Sequence, residues 1–240
     1  MAALSAALNA AVTDGLISRN PCSMVKPPKA PAARVQPWTG EQVAAVRQAL
    51  PARYRALADP GAGLGLRQGE AFGLAVDDVD FLHRVVHVRR QVRILGTRMT
   101  FAPPKGGRER DVPLADSVAL RLSAHIAAFP AVPVELPWKV PGGKLVTARL
   151  VFTDPGGAAL HRSSFNAVAW QPALRGAGVP LARENGMHAL RHYFASALLA
   201  NGVDIRALAA FLGHHDPGFT LRTYVNSQEL HQTGVFAQVA

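Results

Sequence analysis

Cysteine is almost absent. Cys22 is the one thiol in 240 residues, which excludes an intramolecular disulfide framework and suits a reducing compartment. It follows Pro21 with no histidine or acid close by, so it reads as a structural thiol and not as a nucleophile. Long apolar runs are missing as well: none approaches the roughly 20 residues needed to span a bilayer. The start, Met1-Ala2-Ala3-Leu4-Ser5, lacks the basic and apolar regions of a signal peptide, so a cytoplasmic protein with no membrane partner is expected. Acidic charge is scarce, with 16 Asp+Glu against 26 Lys+Arg and a formal charge of +10. A sequence pI of 10.8 points to a polyanionic partner, nucleic acid first, although a genome that favours Arg over Lys would leave the same composition.

What is present is enough for a folded core: 49% of residues are hydrophobic. Leu4, Ala7, Leu8, Ala11, Val12 and Leu16 recur at helical spacing, which predicts an amphipathic helix over residues 1 to 19. So short a helix cannot bury its face alone; either the chain starts inside a domain whose earlier part is missing, or this helix docks elsewhere. Pro27, Pro28, Pro31 and Pro37 interleaved with Lys26, Lys29 and Arg34 read as an extended basic linker. The division expected is therefore residues 1–36, helix and linker, and residues 37–240, a second domain.

That second domain opens with Thr39 and Gln42 in capping-box spacing before Val43, Val46, Ala49 and Leu50. A further helix is expected over Tyr54 to Ala58. The glycines of Gly61-Ala62-Gly63-Leu64-Gly65-Leu66-Arg67 are not a dinucleotide fingerprint, since Leu66 stands where a third glycine is needed, and no Gly-Lys-Ser/Thr closes a P-loop. They leave Arg67 on a flexible bend before a helical Glu70 to Leu74, where a guanidinium can approach a phosphate closely. From 84 to 114 the period shortens: Val85–Val88, Gln91–Ile94, Met99–Phe101 and Arg108–Val112 predict a small antiparallel sheet, with Lys105 at a hairpin tip between the last two strands. Helix is expected over Asp116 to Phe129, a surface loop over 130 to 149, and a helix capped by Ser163-Ser164 through Leu174. In the closing segment Leu190, Phe194, Ala197 and Leu198 form one stripe, Asn201-Gly202 break it, and Asp204 caps a last helix stopped by Gly213.

The histidine-rich end admits three readings. His188 and His192 could be an i, i+4 metal pair completed by His214 or His215, but Arg191 lies between them and no glutamate stands where a zinc protease needs its base. The same residues could be purely structural helix-terminal groups. Or they could serve phosphoryl transfer, with arginines on the non-bridging oxygens, imidazoles handling protons and Tyr224 attacking.

The order of the motifs carries a resemblance. Gly65-Leu66-Arg67-Gln68-Gly69-Glu70, Lys105 before Arg110-Asp111-Val112-Pro113-Leu114, His188-Ala189-Leu190-Arg191-His192, Leu212-Gly213-His214 and Thr220-Leu221-Arg222-Thr223-Tyr224 resemble the tyrosine recombinase (phage integrase) family over essentially everything from Pro37. Asp14 through Pro21 resembles the last helix of that family's core-binding domain. The resemblance implies an α+β catalytic domain, mainly helical, with a small antiparallel three-stranded sheet, acting on double-stranded DNA and self-associating into a tetramer on it. It implies that Arg67 and Arg191 hold the scissile phosphate and that Lys105 protonates the departing 5′-oxygen. His188 would assist proton transfer, His214 would hydrogen-bond a phosphate oxygen, and Tyr224 would be the nucleophile, with no metal or other cofactor. Two positions depart from the pattern: Ala189 replaces the usual acid, and His215 a small polar residue. His192 and His215 are then supporting groups. A topoisomerase IB-like activity and a DNA-binding module without activity are the alternatives.

Overall fold

The computed structural model describes residues 2–25, 36–214 and 218. The chain divides into two compact units, Met1–Arg34 and Val35–Ala240.

In the first unit, α1 spans Ala2–Thr13, shorter than the expected 1 to 19. Gly15 at φ 71° turns the chain left-handed, and the Leu16 amide reaches back to the Ala11 carbonyl, so the helix cannot continue. Asn20 then ties the returning segment to α1: its amide nitrogen donates to Ser5 and Asn9, while its oxygen caps the 3-10 turn Pro21–Met24.

In the second unit, Thr39 and Gln42 form the expected capping box at the start of α2 (Gly40–Ala49), which buries Val43 and Val46. The helix expected over Tyr54 to Ala58 is instead two short ones, α3 (Ala52–Arg55) and α4 (Ala58–Ala62). Helix α5 (Gln68–Phe72) follows, with Arg67 at its N-cap. A three-stranded antiparallel sheet has the order β1 (Val79–Asp80), β2 (Val85–Val88), β5 (Arg110–Pro113), with Val86 opposite both Val79 and Val112. Strands β3 (Gln91–Leu95) and β4 (Arg98–Ala102) form a separate hairpin. Lys105 therefore does not sit between two paired strands, because β5 pairs with β2 and not with β4. Pro103 and Pro104 explain this: lacking N–H donors, they cannot extend a ladder from β4, and the chain leaves for the other sheet.

Residues 130 to 149 are not a loop. Strands β6 (Val132–Pro137) and β7 (Leu145–Leu150) pair antiparallel over six registers, burying Val134 and Ala148. Their prolines are tolerated because a two-stranded ribbon leaves one side of each strand unpaired. Helix α6 (Asp116–Ala128) precedes this ribbon. After it, α7 (Arg162–Phe165) starts one residue before the expected Ser163-Ser164 cap, with His161 at the N-cap. It runs through a π-helical turn, Asn166–Trp170, into α8 (Gln171–Gly176).

Helix α9 (His188–Ala200) and helix α10 (Ile205–Leu212) close the described fold. Asp204 caps α10 through the Arg206 and Ala207 amides, and Gly213 stops it at φ 62°. Leu190 and Phe194 are buried, as expected, while Ala197 and Leu198 are only half-buried. Helix α9 crosses α4 at Gly61, where a Cβ would fall 2.8 Å from the Leu190 Cβ. That close approach brings the N-terminal turn of α9 to the Arg67 bend. No helix among the described residues is long and apolar enough to cross a membrane.

Candidate active site

Two local features place Arg67. Gly65 sits at φ 64° where any side chain would strike the Phe194 ring, 2.5 Å from the Cβ position, so the bend packs tightly on α9. Glu70 then accepts from the Arg67 backbone amide at 2.9 Å and from its guanidinium at 2.9 Å, fixing both ends of the residue. The arginine side chain keeps 20% of its surface exposed while the Glu70 carboxylate is fully covered.

Arg67, Lys105 and His188 line one cavity of about 630 Å³. Lys105 reaches it from an exposed turn in which the Gly107 amide closes on the Pro104 carbonyl at 2.8 Å. The base of that turn is held by Gln91, whose amide donates to the Pro103 carbonyl at 2.6 Å. His188 enters from the first residue of α9. The cavity is also lined by Arg93, Arg162 and Arg183, and none of its lining residues is Asp or Glu. A neutral side-chain pair also lines it, the Gln68 amide donating to Asn166 at 2.8 Å on the π-helical turn.

Arg191 and His214 are not among the residues that line this cavity; they lie against it. Arg191 is only 1% exposed. Its guanidinium donates to the Gly65 carbonyl, next to the Arg67 bend, and to the Leu212 carbonyl at the end of α10. It also lies 3.0 Å from the His214 Nε2. One guanidinium, with its rigid fork of donors, thus joins the bend, α9 and the turn that carries His214. Tyr224, like His215, lies outside the described residues.

This positive surround acts on the imidazoles. His188 has its pKa pulled down to about 4, by desolvation first and then by the charges of His192, Arg191, Arg67 and His214. As a whole residue His188 is exposed, so we give the cationic neighbours more weight than burial. His214 is likewise lowered to about 4 by desolvation, then by Arg191, Arg67 and Arg110. Both rings are neutral at pH 7 and can each accept a proton. His192 is also shifted down, through desolvation and Arg191, and its ring meets that of His188 edge-on at 4.5 Å. Among the described residues no group of three or more His, Cys, Asp or Glu could hold a metal ion.

Glu70 and Arg110 stand inside the quoted motifs, and the resemblance gives neither of them a role. Glu70 was detectable, three residues from Arg67 on one helical face. Arg110 was not, because its partners are 40 and 101 positions away. The cavity arginines 93, 162 and 183 carried no sequence signal beyond charge.

Residues 41–231 match the sequence pattern of the phage integrase family. A tyrosine recombinase XerC-like protein of Caldanaerobacter subterraneus subsp. tengcongensis is 27% identical over 243 residues, covering 91% of this chain and 59% of that protein. Tyrosine recombinase XerC of Myxococcus xanthus is 30% identical over 229 residues, covering 92% of this chain and 68% of its own. The chain therefore spans less than two thirds of the first of these relatives. In fold it is similar to the Tn1549 transposon integrase solved in complex with a circular intermediate DNA, at TM-score 0.69 and 21% identity, over 95% of this chain and 76% of that one.

Proposed function

The chain belongs to the phage integrase family, and from that membership we propose that it is a site-specific recombinase that cleaves and rejoins double-stranded DNA through Tyr224. The observation that carries this reading is the cavity that gathers Arg67, Lys105 and His188 with three further arginines and no carboxylate. A pocket so charged favours a phosphodiester, and more so the pentavalent dianion formed during in-line attack.

In this reading the Tyr224 hydroxyl attacks the scissile phosphorus and its proton passes toward His188, whose neutral ring at pH 7 suits that task. Arg67 and Arg191 hold the non-bridging oxygens, and His214 donates to one of them. The bond from phosphorus to the 5′-oxygen breaks as Lys105 supplies that oxygen with a proton. The product is a 3′-phosphotyrosyl link and a free 5′-hydroxyl. Because the link keeps the energy of the diester, the reverse attack reseals DNA with neither ATP nor metal. Residues 37–240 would be the catalytic domain and 1–36 the end of a core-binding domain with its linker. Tetramer formation on DNA would follow from the family.

The test is covalent trapping on nicked duplexes with randomised cores, which lose the strand end needed for rejoining. Wild type is expected to yield a protein–DNA adduct and Tyr224→Phe none. An adduct that survives that substitution sinks the assignment, and absence of adduct with wild type sinks the activity. Relaxation of arbitrary supercoiled plasmid by a monomer would favour a topoisomerase IB-like enzyme instead.

A further inference from the structure

Arg110 is a charged side chain that the reaction above does not use, yet it is only 7% exposed. Its partners are specific. Both terminal nitrogens donate to the Glu70 carboxylate, at 3.2 Å to Oε1 and 2.7 Å to Oε2. Its Nε donates to the Phe211 carbonyl at 2.7 Å, one of the carbonyls that the end of α10 leaves without a helical partner. The Arg110 side chain passes close to Gly213: a Cβ there would meet the Arg110 Cδ at 3.1 Å and Nη1 at 3.3 Å. Glu70 is the same carboxylate that holds Arg67.

The charges can be counted along this chain of contacts. Glu70 is fully buried and carries one negative charge. If Arg67 were its one partner, the pair would be neutral and Arg67 would offer an incoming anion little net attraction. With Arg110 also on Glu70, the trio keeps one positive charge. A buried carboxylate shared by two guanidiniums is stable only with both in place, since stripping one leaves charge uncompensated in a poorly solvated site. Consistent with this, Glu70 is pulled down to about 2: burial opposes ionisation, and the hydrogen bonds and charges of Arg110 and Arg67 outweigh it.

We propose that Arg110 is a positioning residue that neutralises Glu70, so that the charge of Arg67 is left for a phosphate, while its Nε holds the α10 end that presents His214. This rests on the reading of Arg67 as a phosphate-holding residue. It assigns a task to an arginine that touches no substrate, and it explains why a carboxylate is tolerated beside an anion site.

The probe is inorganic phosphate, bound to the full chain at low ionic strength and followed by phosphorus NMR, with circular dichroism to verify folding. Arg110→Gln is expected to raise the phosphate Kd about tenfold, the worth of one charge-assisted pair. Arg110→Lys, which keeps the charge, should stay within about threefold of wild type. The deciding variant is Arg110→Gln combined with Glu70→Gln. Removing both charges restores the balance, so it should recover most of the loss, whereas a merely structural Arg110 would leave the double variant as weak as the single one or weaker. Wild-type affinity in Arg110→Gln, or no recovery in the double variant, overturns the proposal. Should Arg110→Gln not fold, Glu70→Gln alone is expected to bind phosphate at least as tightly as wild type, and weaker binding overturns the proposal. The readout needs no DNA cleavage, so absence of a Tyr224 adduct and failure of this ranking are separate outcomes.

Discussion

A histidine that is neutral partly because cations surround it responds to the anion that binds them. His188 and His214 are held at about 4, first by desolvation and then by Arg191 and Arg67, and a phosphate on those two arginines cancels part of the second effect. Anion binding should therefore raise both values toward the ordinary 6.5. The consequence for stability has a definite sign. The folded state refuses protons that the unfolded state accepts below 6.5, so these groups favour folding above that pH, and the advantage is lost as pH falls from 6.5 toward 4. Phosphate should shrink the loss. Thermal unfolding at pH 7.5 and pH 5, with and without inorganic phosphate, reads the stability effect, and ring NMR titration of His188 reads the group itself. A His188 pKa unmoved by saturating phosphate would refute the electrostatic account. At the residue scale, three of the groups quoted from short motifs, Arg67, Lys105 and His188, line one cavity, and Arg191 links the Gly65 carbonyl beside Arg67 to His214. What the motifs could not reveal is that Arg191 is buried against two carbonyls, since burial depends on what packs around the motif.

At the scale of elements, legibility followed the range of the deciding interaction. The α2 capping box, the Asp204 cap and the Gly213 stop are all settled within four residues, and all three stand as expected. The strand runs were located well, but their partners were not. β5 crosses back to β2, leaving Lys105 on a link between two sheets: Pro103 and Pro104 end the β4 ladder, and which strand β5 then meets depends on the facing side chains. The β6–β7 ribbon was hidden because its prolines and glycines speak for a loop, while the ladder that overrides them is cross-strand. The Gly213 turn is the element on which most of the site depends. Its left-handed backbone and the Arg110 side chain beside it both disfavour a side chain. Gly213→Ala should cost roughly 1–2 kcal/mol of stability from backbone strain alone. It should also weaken phosphate binding by shifting Arg110 and His214. Denaturant unfolding measures the first effect; a stability within about 0.3 kcal/mol of wild type would mean the turn is not set as described.

For the whole molecule the question is how a +10 chain meets DNA. Several arginines outside the cavity are already paired with acids: Arg47 and Arg121 with Asp59, Arg89 and Arg90 with Asp78, Arg84 with Asp116 and Arg110 with Glu70. Net charge alone therefore overstates the surface available to a polyanion. The cavity gathers Arg67, Arg93, Lys105, Arg162 and Arg183 with no Asp or Glu among its lining residues, and of these Arg67 is held by Glu70 behind it. If these five side chains each displace a counterion, the logarithm of affinity should fall against the logarithm of salt with a slope of roughly −4 to −5. Between 50 and 200 mM salt that is a loss on the order of 10²–10³-fold. Arg162→Gln, far in sequence from every proposed catalytic residue, should flatten the slope by about 1 and weaken binding to all sequences alike. Arg84→Gln, whose partner is Asp116 and which lies off the cavity, should leave the slope unchanged. Anisotropy titrations of a labelled duplex across salt concentrations decide the matter: a slope near zero, or equal slopes for Arg162→Gln and wild type, would place the DNA-binding surface somewhere other than this cavity.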